Sequence, residues 1–245
     1  MGAARLTSTI PQGYERGLVP ALMRPCADAL LARVPVPPGA RVLDAAAGTG
    51  IVTRQLGLAR SSARVVALDA WDEMAAFGAS VARVPYVVGS LDAIPFRDAS
   101  FDVALCQHGL PFADDPRRAV AELKRVTRPG GRVGVLVWTA LAQSRGFAAI
   151  DAAARRHLDA PLTLRFEDAL ETEAGLRGLL GHVERVRIEA PFRSGRAFAE
   201  AYVAGSFLAE VEADEKAWRA FHDEVDAALA GVRWHVEAHV AWTEL

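Results

Sequence analysis

The sequence predicts an α/β fold: a Rossmann-like, doubly wound seven-stranded sheet with an antiparallel last strand, plus a helical cap. Apolar strand candidates alternate with helices between residues 39 and 138, and a period-two strand ends the chain over 233–242. Strands that are apolar nearly throughout are typical of a parallel sheet covered by helices on both faces. The half-polar final strand suits an antiparallel position beside them.

The α/β core contains five strand candidates with helices between them. The strands are predicted at 41–46, 64–69, 84–88, 101–107 and 131–138. Helices are predicted from the Gly48-Thr49-Gly50 turn through Leu58, and over 72–82. A third helix has clear ends, because Asp115 can cap it, Pro116 suits its first turn, and a Pro-Gly-Gly run over 129–131 stops it.

The segments on either side of this core are predicted to form its lid and cap. Apolar residues at helical spacing predict a helix within 14–34, and 194–230 is predicted to be helical with Trp218 and Phe221 in its core stripe. A sixth strand is predicted over 184–189. We therefore expect one domain, divided into four segments: an N-terminal lid 1–38, a core 39–138, a cap 139–232 and a last strand 233–245.

Composition favours an intracellular enzyme over a secreted or nucleic-acid-binding protein. The 245 residues carry a net charge of −2 and only two cysteines, Cys26 and Cys106, so a disulfide framework is not expected. The densest basic cluster, within 117–128, is interrupted by Glu122 and is interpreted as a solvated helix face. We expect a cytoplasmic protein with a small-molecule substrate and no nucleic-acid or membrane partner; the sequence leaves the oligomeric state open, with a homodimer as one alternative.

The most informative motif is the turn after the first strand. Gly48 and Gly50 permit backbone conformations that let a ligand lie against the main chain. A dinucleotide site would require a third glycine, but Thr53 stands there. Asp44 precedes the glycines, where its charge would repel a diphosphate and suit an ammonium or sulfonium group. This argues against an NAD-dependent oxidoreductase, the alternative from another class.

Two further positions lie where open α/β sheets bind their ligands, at the carboxyl ends of strands. Asp69 ends the second strand and can accept hydrogen bonds from both hydroxyls of a ribose. His108 follows the fourth strand and is a candidate catalytic base. The alternative for His108 is a histidine that merely packs beside the pocket.

These motifs resemble those of the class I S-adenosylmethionine-dependent methyltransferases, in the small-molecule branch related to ubiquinone and menaquinone biosynthesis. The similarity extends from Tyr14 to Trp138 and implies S-adenosylmethionine as cofactor. It implies the following contacts: Asp44, Ala46 and Gly48 with the methionine part, Asp69 with the ribose, Ala70, Met74, Leu91 and Asp92 with the adenine, Gln107 with the sulfonium, and Tyr14 as a closing residue.

The sequence departs from the family pattern at three places. Ala46 replaces a glycine, Ser90 replaces an aspartate that holds the adenine amino group, and the segment 179–182 replaces an Ala-Gly-Phe run. Ser90 could share the adenine contact with Asp92, and it also leaves open a protein of the same fold that catalyses a cyclisation or rearrangement of a natural product.

The acceptor is expected to enter above strands four and five. Its walls are predicted in 14–34, 139–180 and 194–230, with these candidate lining residues: Tyr14, Phe112, Trp138, Tyr202 and Phe207. Such a lining suits an uncharged or aromatic metabolite that receives a methyl group on O, N or C. No metal site is expected, because His235 and His239 lie on the polar side of a strand.

Overall fold

A computed structural model describes residues 9–58, 62–139, 144–160 and 172–245. Its sheet contains seven strands in the order β3-β2-β1-β4-β5-β7-β6. Their bounds are β1 Arg41–Ala45, β2 Arg64–Asp69, β3 Tyr86–Val88, β4 Phe101–Gln107, β5 Thr127–Trp138, β6 His182–Glu189 and β7 His235–Glu244. The predicted fold class is confirmed.

Strands β1 to β5 are parallel, and β7 runs antiparallel between β5 and β6. The chain order reverses between β1 and β4, so the loops that leave these two neighbouring strands diverge over opposite faces of the sheet. Such a switch point is where doubly wound sheets hold their ligands. The carboxyl ends of β1, β2 and β4 are therefore the edge at which to look for a site.

Helices cover both faces of the sheet. Their bounds are α1 Ile10–Leu18, α2 Arg24–Arg33, α3 Ile51–Leu58, α4 Asp72–Ala82, α5 Pro116–Val126, α6 Arg145–His157, α7 Glu173–Leu180, α8 Gly195–Ala204 and α9 Glu215–Leu229. Asp115 caps α5 by accepting hydrogen bonds from the amides of Arg117 and Arg118, as predicted. Short 3-10 turns follow β3 and β4, at Leu91–Ala93 and Leu110–Phe112.

Two apolar layers hold the sheet between them. One consists mainly of side chains from the N-terminal helices and from α6, α8 and α9, packed against one face of the strands. The other joins α5 and α7 to the opposite face. Phe221 in α9 is fully buried, which confirms its predicted place in the core.

The structure refines three local predictions. The N-terminal helix begins at Ile10, not near residue 14, and a π-helical turn at Val19–Met23 separates α1 from α2. Strand β3 begins at Tyr86, two residues later than predicted. The prediction of a solvated side for the last strand was wrong at His239, which is 5% exposed because β7 lies inside the sheet.

Among the residues that the structure describes, no helix combines the length and apolar content required to cross a bilayer. Cys26 and Cys106 are both buried free thiols. Parts of the predicted cap, residues 140–143 and 161–171, lie outside the described residues.

Candidate functional site

The turn after β1 has the unusual backbone that its glycines predicted. Gly48 and Gly50 have positive φ angles of 55° and 84°, and Ala46 has one of 55°. A Cβ added to Gly48 would meet no atom within 4 Å, so the main chain here faces open space. The turn therefore exposes backbone at the edge where a ligand is expected.

Asp44 lies at the base of this turn and is 1% exposed. Its Oδ2 accepts hydrogen bonds from the amide and the hydroxyl of Thr53 in α3, at 3.0 and 2.7 Å. Burial raises the pKa of Asp44 to about 6, although the bonds from Thr53 oppose this shift. A cationic group nearby would stabilise the charged form of a buried carboxylate of this kind. Asp44 thus also connects β1 to the first turn of α3.

Asp69 closes the turn from the β2 side. Its two carboxylate oxygens accept hydrogen bonds from the amides of Gly48 at 2.7 Å and Trp71 at 2.9 Å. Burial raises the pKa of Asp69, and the hydrogen bonds from the two backbone amides oppose this rise. The structure brings Asp44, Gly48 and Asp69 together, as the sequence predicted. The two hydrogen bonds from backbone amides fix the orientation of the Asp69 carboxylate within the protein itself.

An ion pair connects helix α1 to α3, next to this turn. Arg54 in α3 donates to both carboxylate oxygens of Glu15, at 2.8 and 3.0 Å, and also to the Thr49 carbonyl. Tyr14 is the neighbour of Glu15, and burial, together with the nearby Asp69, raises the pKa of its phenol. The predicted closing residue therefore lies near Asp69 and the turn after β1. The Arg54–Glu15 pair was not predicted, since no local pattern marks it.

The predicted adenine residues occupy mixed environments. Met74 and Leu91 are buried, whereas Ala70 and Ser90 are exposed. Asp92 accepts hydrogen bonds from the amides of residues 114 and 115 and from the Ser90 hydroxyl, which together hold the loops after β3 and β4 side by side. Both Asp92 oxygens thus already have protein partners, so the expected shared adenine contact would have to compete with them.

Gln107 ends β4 beside the turn. Its Nε2 donates to the carbonyl of Met23 in the π-helical turn, at 3.0 Å. Its Oε1 is buried and has no hydrogen-bond partner, and the buried Thr49 hydroxyl has none either. Buried polar atoms in native proteins almost always have a partner. These two atoms mark places where a bound molecule would complete the hydrogen bonding.

His108 follows with a positive φ of 59°, and its amide donates to the Leu136 carbonyl at 2.7 Å. Its ring stacks on Trp138 at the end of β5, with centroids 4.0 Å apart. Both ring nitrogens are shielded from solvent and unpartnered, and burial lowers the pKa of His108 to about 3. The imidazole is therefore neutral at physiological pH.

An aromatic cluster extends from Trp138 into the cap. Phe147 in α6 packs on Trp138, and Tyr202 in α8 packs edge-on against Phe147. Two of the predicted acceptor-lining residues, Trp138 and Tyr202, thus belong to one buried cluster. Phe112 and Phe207 do not, since they are 65% and 62% exposed.

Phe207 instead stacks on Trp71, two residues after Asp69, with ring centroids 5.6 Å apart. The sequence did not reveal this contact, because the two residues are separated by more than half the chain. This contact places part of the cap beside the carboxyl end of β2.

Two other features lie apart from this edge. A cavity of about 410 Å³ is bounded by α3 and by the starts of β2 and β3, and it contains none of the predicted cofactor residues. No cluster of three or more potential metal ligands occurs in the described part of the chain. His235 and His239 are four residues apart on an extended strand, about 13 Å, which is too far to share one ion.

The fold and the two carboxylates at the switch point match the class I methyltransferase pattern that the sequence resembles. The family described as "Methyltransferase domain" matches residues 43–135, which include the β1 turn, Asp69 and β4. This segment of the chain therefore resembles the methyltransferase-domain family.

Curated relatives agree over the same part of the chain. An uncharacterised protein of Mycobacterium tuberculosis is 37% identical over 123 residues, which are 48% of this chain and 44% of that protein. Demethylmenaquinone methyltransferase of Mycolicibacterium paratuberculosis is 45% identical over 98 residues, 40% of this chain and 41% of that protein. The chain thus matches less than half the length of these relatives.

Solved structures share the fold over nearly the whole chain. A candidate methyltransferase from an antibiotic biosynthesis pathway of Anabaena variabilis has a TM-score of 0.65 and 17% identity, and covers 91% of this chain and 98% of its own. The cyclase SpnF has a TM-score of 0.57 and 21% identity, and covers 90% of this chain and 81% of its own. At such identities the likeness establishes the fold alone.

Proposed function

We propose that this protein transfers a methyl group from S-adenosylmethionine to a small organic metabolite. The observation that carries the proposal is the pairing of the buried carboxylate of Asp44 with the partly buried carboxylate of Asp69, on either side of a glycine turn that is open at Gly48. A diphosphate would be repelled by this arrangement, whereas a cationic amino-acid nucleoside would be attracted. The curated methyltransferase relatives support the same activity.

The residues present fit this cofactor. The unpartnered Oε1 of Gln107 and the Thr49 hydroxyl can receive polar groups of its methionine part. Asp69, held by two amides, can accept hydrogen bonds from ribose hydroxyls, and the buried Met74 and Leu91 can pack against the adenine. The Ser90 side chain binds Asp92, so the adenine amino group would have fewer acidic partners here than in typical members.

When bound, the cofactor supplies an electrophilic methyl group with a good leaving group. The protein then mainly has to orient the acceptor and exclude water. Alignment of reacting groups can lower a barrier by roughly 7–11 kcal/mol. Glu15 and Arg54 hold the lid helix on the cofactor turn, and Trp138, Phe147 and Tyr202 form the apolar wall on the acceptor side.

Calorimetry with S-adenosylhomocysteine and with NAD tests the cofactor assignment directly. We expect S-adenosylhomocysteine to bind and NAD not to bind. Asp69→Ala should weaken the nucleoside at least 100-fold, because hydrogen bonds to a charged group are worth about 1.5–3 kcal/mol each. Asp98→Ala is the matched control, since the Asp98 side chain is 78% exposed and its recorded ion pair among the described residues is with Arg125 in α5. Unchanged affinity in Asp69→Ala would contradict the proposal.

Incubation with methyl-labelled cofactor and fractionated metabolites tests the reaction. Methyl transfer releases one S-adenosylhomocysteine per labelled product. A cofactor-binding cyclase of the same fold would convert its substrate without releasing it, so this measurement separates the two activities.

A further inference from the structure

His108 is held in an unusual position at the carboxyl end of β4. Its φ of 59° is uncommon for a residue with a side chain. The hydrogen bond from its backbone amide to the Leu136 carbonyl fixes the position of the strand end. The next residue must be glycine, since a Cβ on Gly109 would lie 2.3 Å from the Ala46 Cβ and 2.7 Å from the Cys106 sulfur. The imidazole is thus placed by backbone geometry beside the turn that carries Asp44 and Gly48.

The imidazole has no hydrogen-bond partner among the described residues. Nδ1 and Nε2 are both shielded from solvent, and one face of the ring stacks on Trp138 at 4.0 Å. A neutral imidazole carries one N–H donor and one lone-pair acceptor. A buried imidazole whose donor and acceptor both lack a partner is energetically unfavourable. Because this imidazole lies at the edge where a ligand is expected, we infer that a bound molecule forms these hydrogen bonds.

The chemistry of this partner follows from the charges around it. Burial is the cause of the lowered pKa of His108, and no carboxylate or cation among the described residues contributes to it. An ammonium group would lack a counter-charge here, and so would a carboxylate. A hydroxyl meets both requirements, since it carries no charge and donates a hydrogen bond to an imidazole lone pair.

Building on the proposed function, we propose that the acceptor is an uncharged hydroxyl compound and that His108 binds its O–H and takes the proton during O-methylation. The acceptor oxygen forms a bond to the methyl carbon while the methyl–sulfur bond breaks and its electron pair stays on sulfur. The O–H bond breaks, and its proton moves to the His108 lone pair and later to water.

A weakly basic imidazole is sufficient for this step. As the oxygen acquires the methyl group it becomes positively charged, and an alkylated oxonium is a far stronger acid than an imidazolium. Proton transfer is therefore favourable late in the reaction without prior ionisation of the hydroxyl. The neutral ring also avoids placing a positive charge beside the cationic cofactor.

The test uses two probes of closely similar shape, 4-nitrophenol and 4-nitroanisole, with protein saturated by S-adenosylhomocysteine and at a pH low enough to keep the phenol un-ionised. Only the phenol can donate a hydrogen bond. We expect the wild-type protein to bind the phenol at least 10-fold more tightly than the anisole, and His108→Asn to reduce this preference to less than 3-fold. His239→Asn is the matched control, because His239 is also buried with an unpartnered Nδ1 but lies within β7.

A second measurement remains valid if His108→Asn does not fold. In wild-type protein labelled with nitrogen-15, the His108 ring resonances, assigned through its backbone, should move when 4-nitrophenol is added and stay in place with 4-nitroanisole. Equal response to both probes would overturn the assignment of His108. If S-adenosylhomocysteine itself failed to bind, the proposed function would fail instead, so the two failures are distinguishable.

Discussion

The two sides of the candidate site satisfy their polar groups in different ways. On the cofactor side, defined by Asp44, Asp69 and the turn between them, each carboxylate accepts two hydrogen bonds from the protein itself. On the acceptor side, defined by His108, Trp138 and the aromatic residues of α6 and α8, the imidazole has no partner and the wall is apolar. The cofactor side is thus preorganised, whereas the acceptor side depends on its ligand.

The largest expected effect would show whether the two sides are independent. Phe147 is 3% exposed and contacts Trp138, Phe198 and Tyr202. Phe147→Ala should lower the free energy of unfolding by about 3–5 kcal/mol, measured by urea denaturation, because it leaves a cavity in this cluster. S-adenosylhomocysteine affinity should change less than 3-fold.

A parallel loss of nucleoside affinity in Phe147→Ala would break the comparison, since it would mean that the acceptor side shapes the cofactor side. Phe207→Ala is the control, because Phe207 is 62% exposed. It should change the free energy of unfolding by less than about 1 kcal/mol.

A second change acts on the cofactor side through packing. A Cβ on Gly78 in α4 would lie 2.4 Å from the Tyr86 hydroxyl and 2.6 Å from the Gly48 carbonyl, and Tyr86 donates to that carbonyl. Gly78→Ala should destabilise the protein by about 1–3 kcal/mol and weaken nucleoside binding, because it displaces the turn. Gly57→Ala in α3, where a Cβ meets nothing within 4 Å, should instead stabilise it by about 0.4–1 kcal/mol. Equal effects of the two substitutions would contradict this assignment.

The two sides should also respond oppositely to pH. Asp44 has a pKa of about 6 when folded against a usual 3.8, so the folded state binds more protons and stability falls as pH rises from 3.8 to 6. His108 has a pKa of about 3 against a usual 6.5, so stability is lost as pH falls from 6.5 towards 3. Each contribution has a slope of at most about 1.4 kcal/mol per pH unit.

Urea denaturation between pH 4 and pH 6 separates these contributions. Relative to wild type, Asp44→Asn should make stability rise more steeply with pH, and His108→Asn should make it rise less steeply or fall. Identical pH profiles in both variants would show that burial does not shift the pKa values of Asp44 and His108 in the directions described.

The arrangement of Asp44, Gly48 and Asp69 around one turn could be predicted from sequence because its signals are local. Asp44, Gly48 and Gly50 lie within one strand–turn–helix unit, and Asp69 occupies the same place on the next strand. Strand alternation likewise predicted the sheet. Local patterns could not show that β7 inserts between β5 and β6, and this insertion is what buries His239.

The acceptor side is assembled from distant segments, so its contacts had no signature in sequence. His108 and Trp138 are thirty residues apart, and Phe207 reaches Trp71 from the other end of the chain. Sequence predicted most of these aromatic residues as a list of wall candidates. It could not separate the buried Trp138 and Tyr202 from the exposed Phe112 and Phe207, because that difference depends on how α6 and α8 pack.

The smallest expected effect concerns strain in the cofactor turn. Ala46 adopts a φ of 55°, which costs a residue with a Cβ about 1–2 kcal/mol relative to glycine, and glycine in turn loses about 0.5–1 kcal/mol of unfolded-chain entropy. Ala46→Gly should therefore stabilise the fold by up to about 1 kcal/mol. Ala45→Gly, within the regular strand β1, should destabilise it by a similar amount or more. If Ala46→Gly stabilises the fold but weakens nucleoside binding, the methyl group of Ala46 both strains the turn and helps to hold its conformation. If Ala46→Gly instead destabilises the fold, the proposed backbone strain at Ala46 is absent.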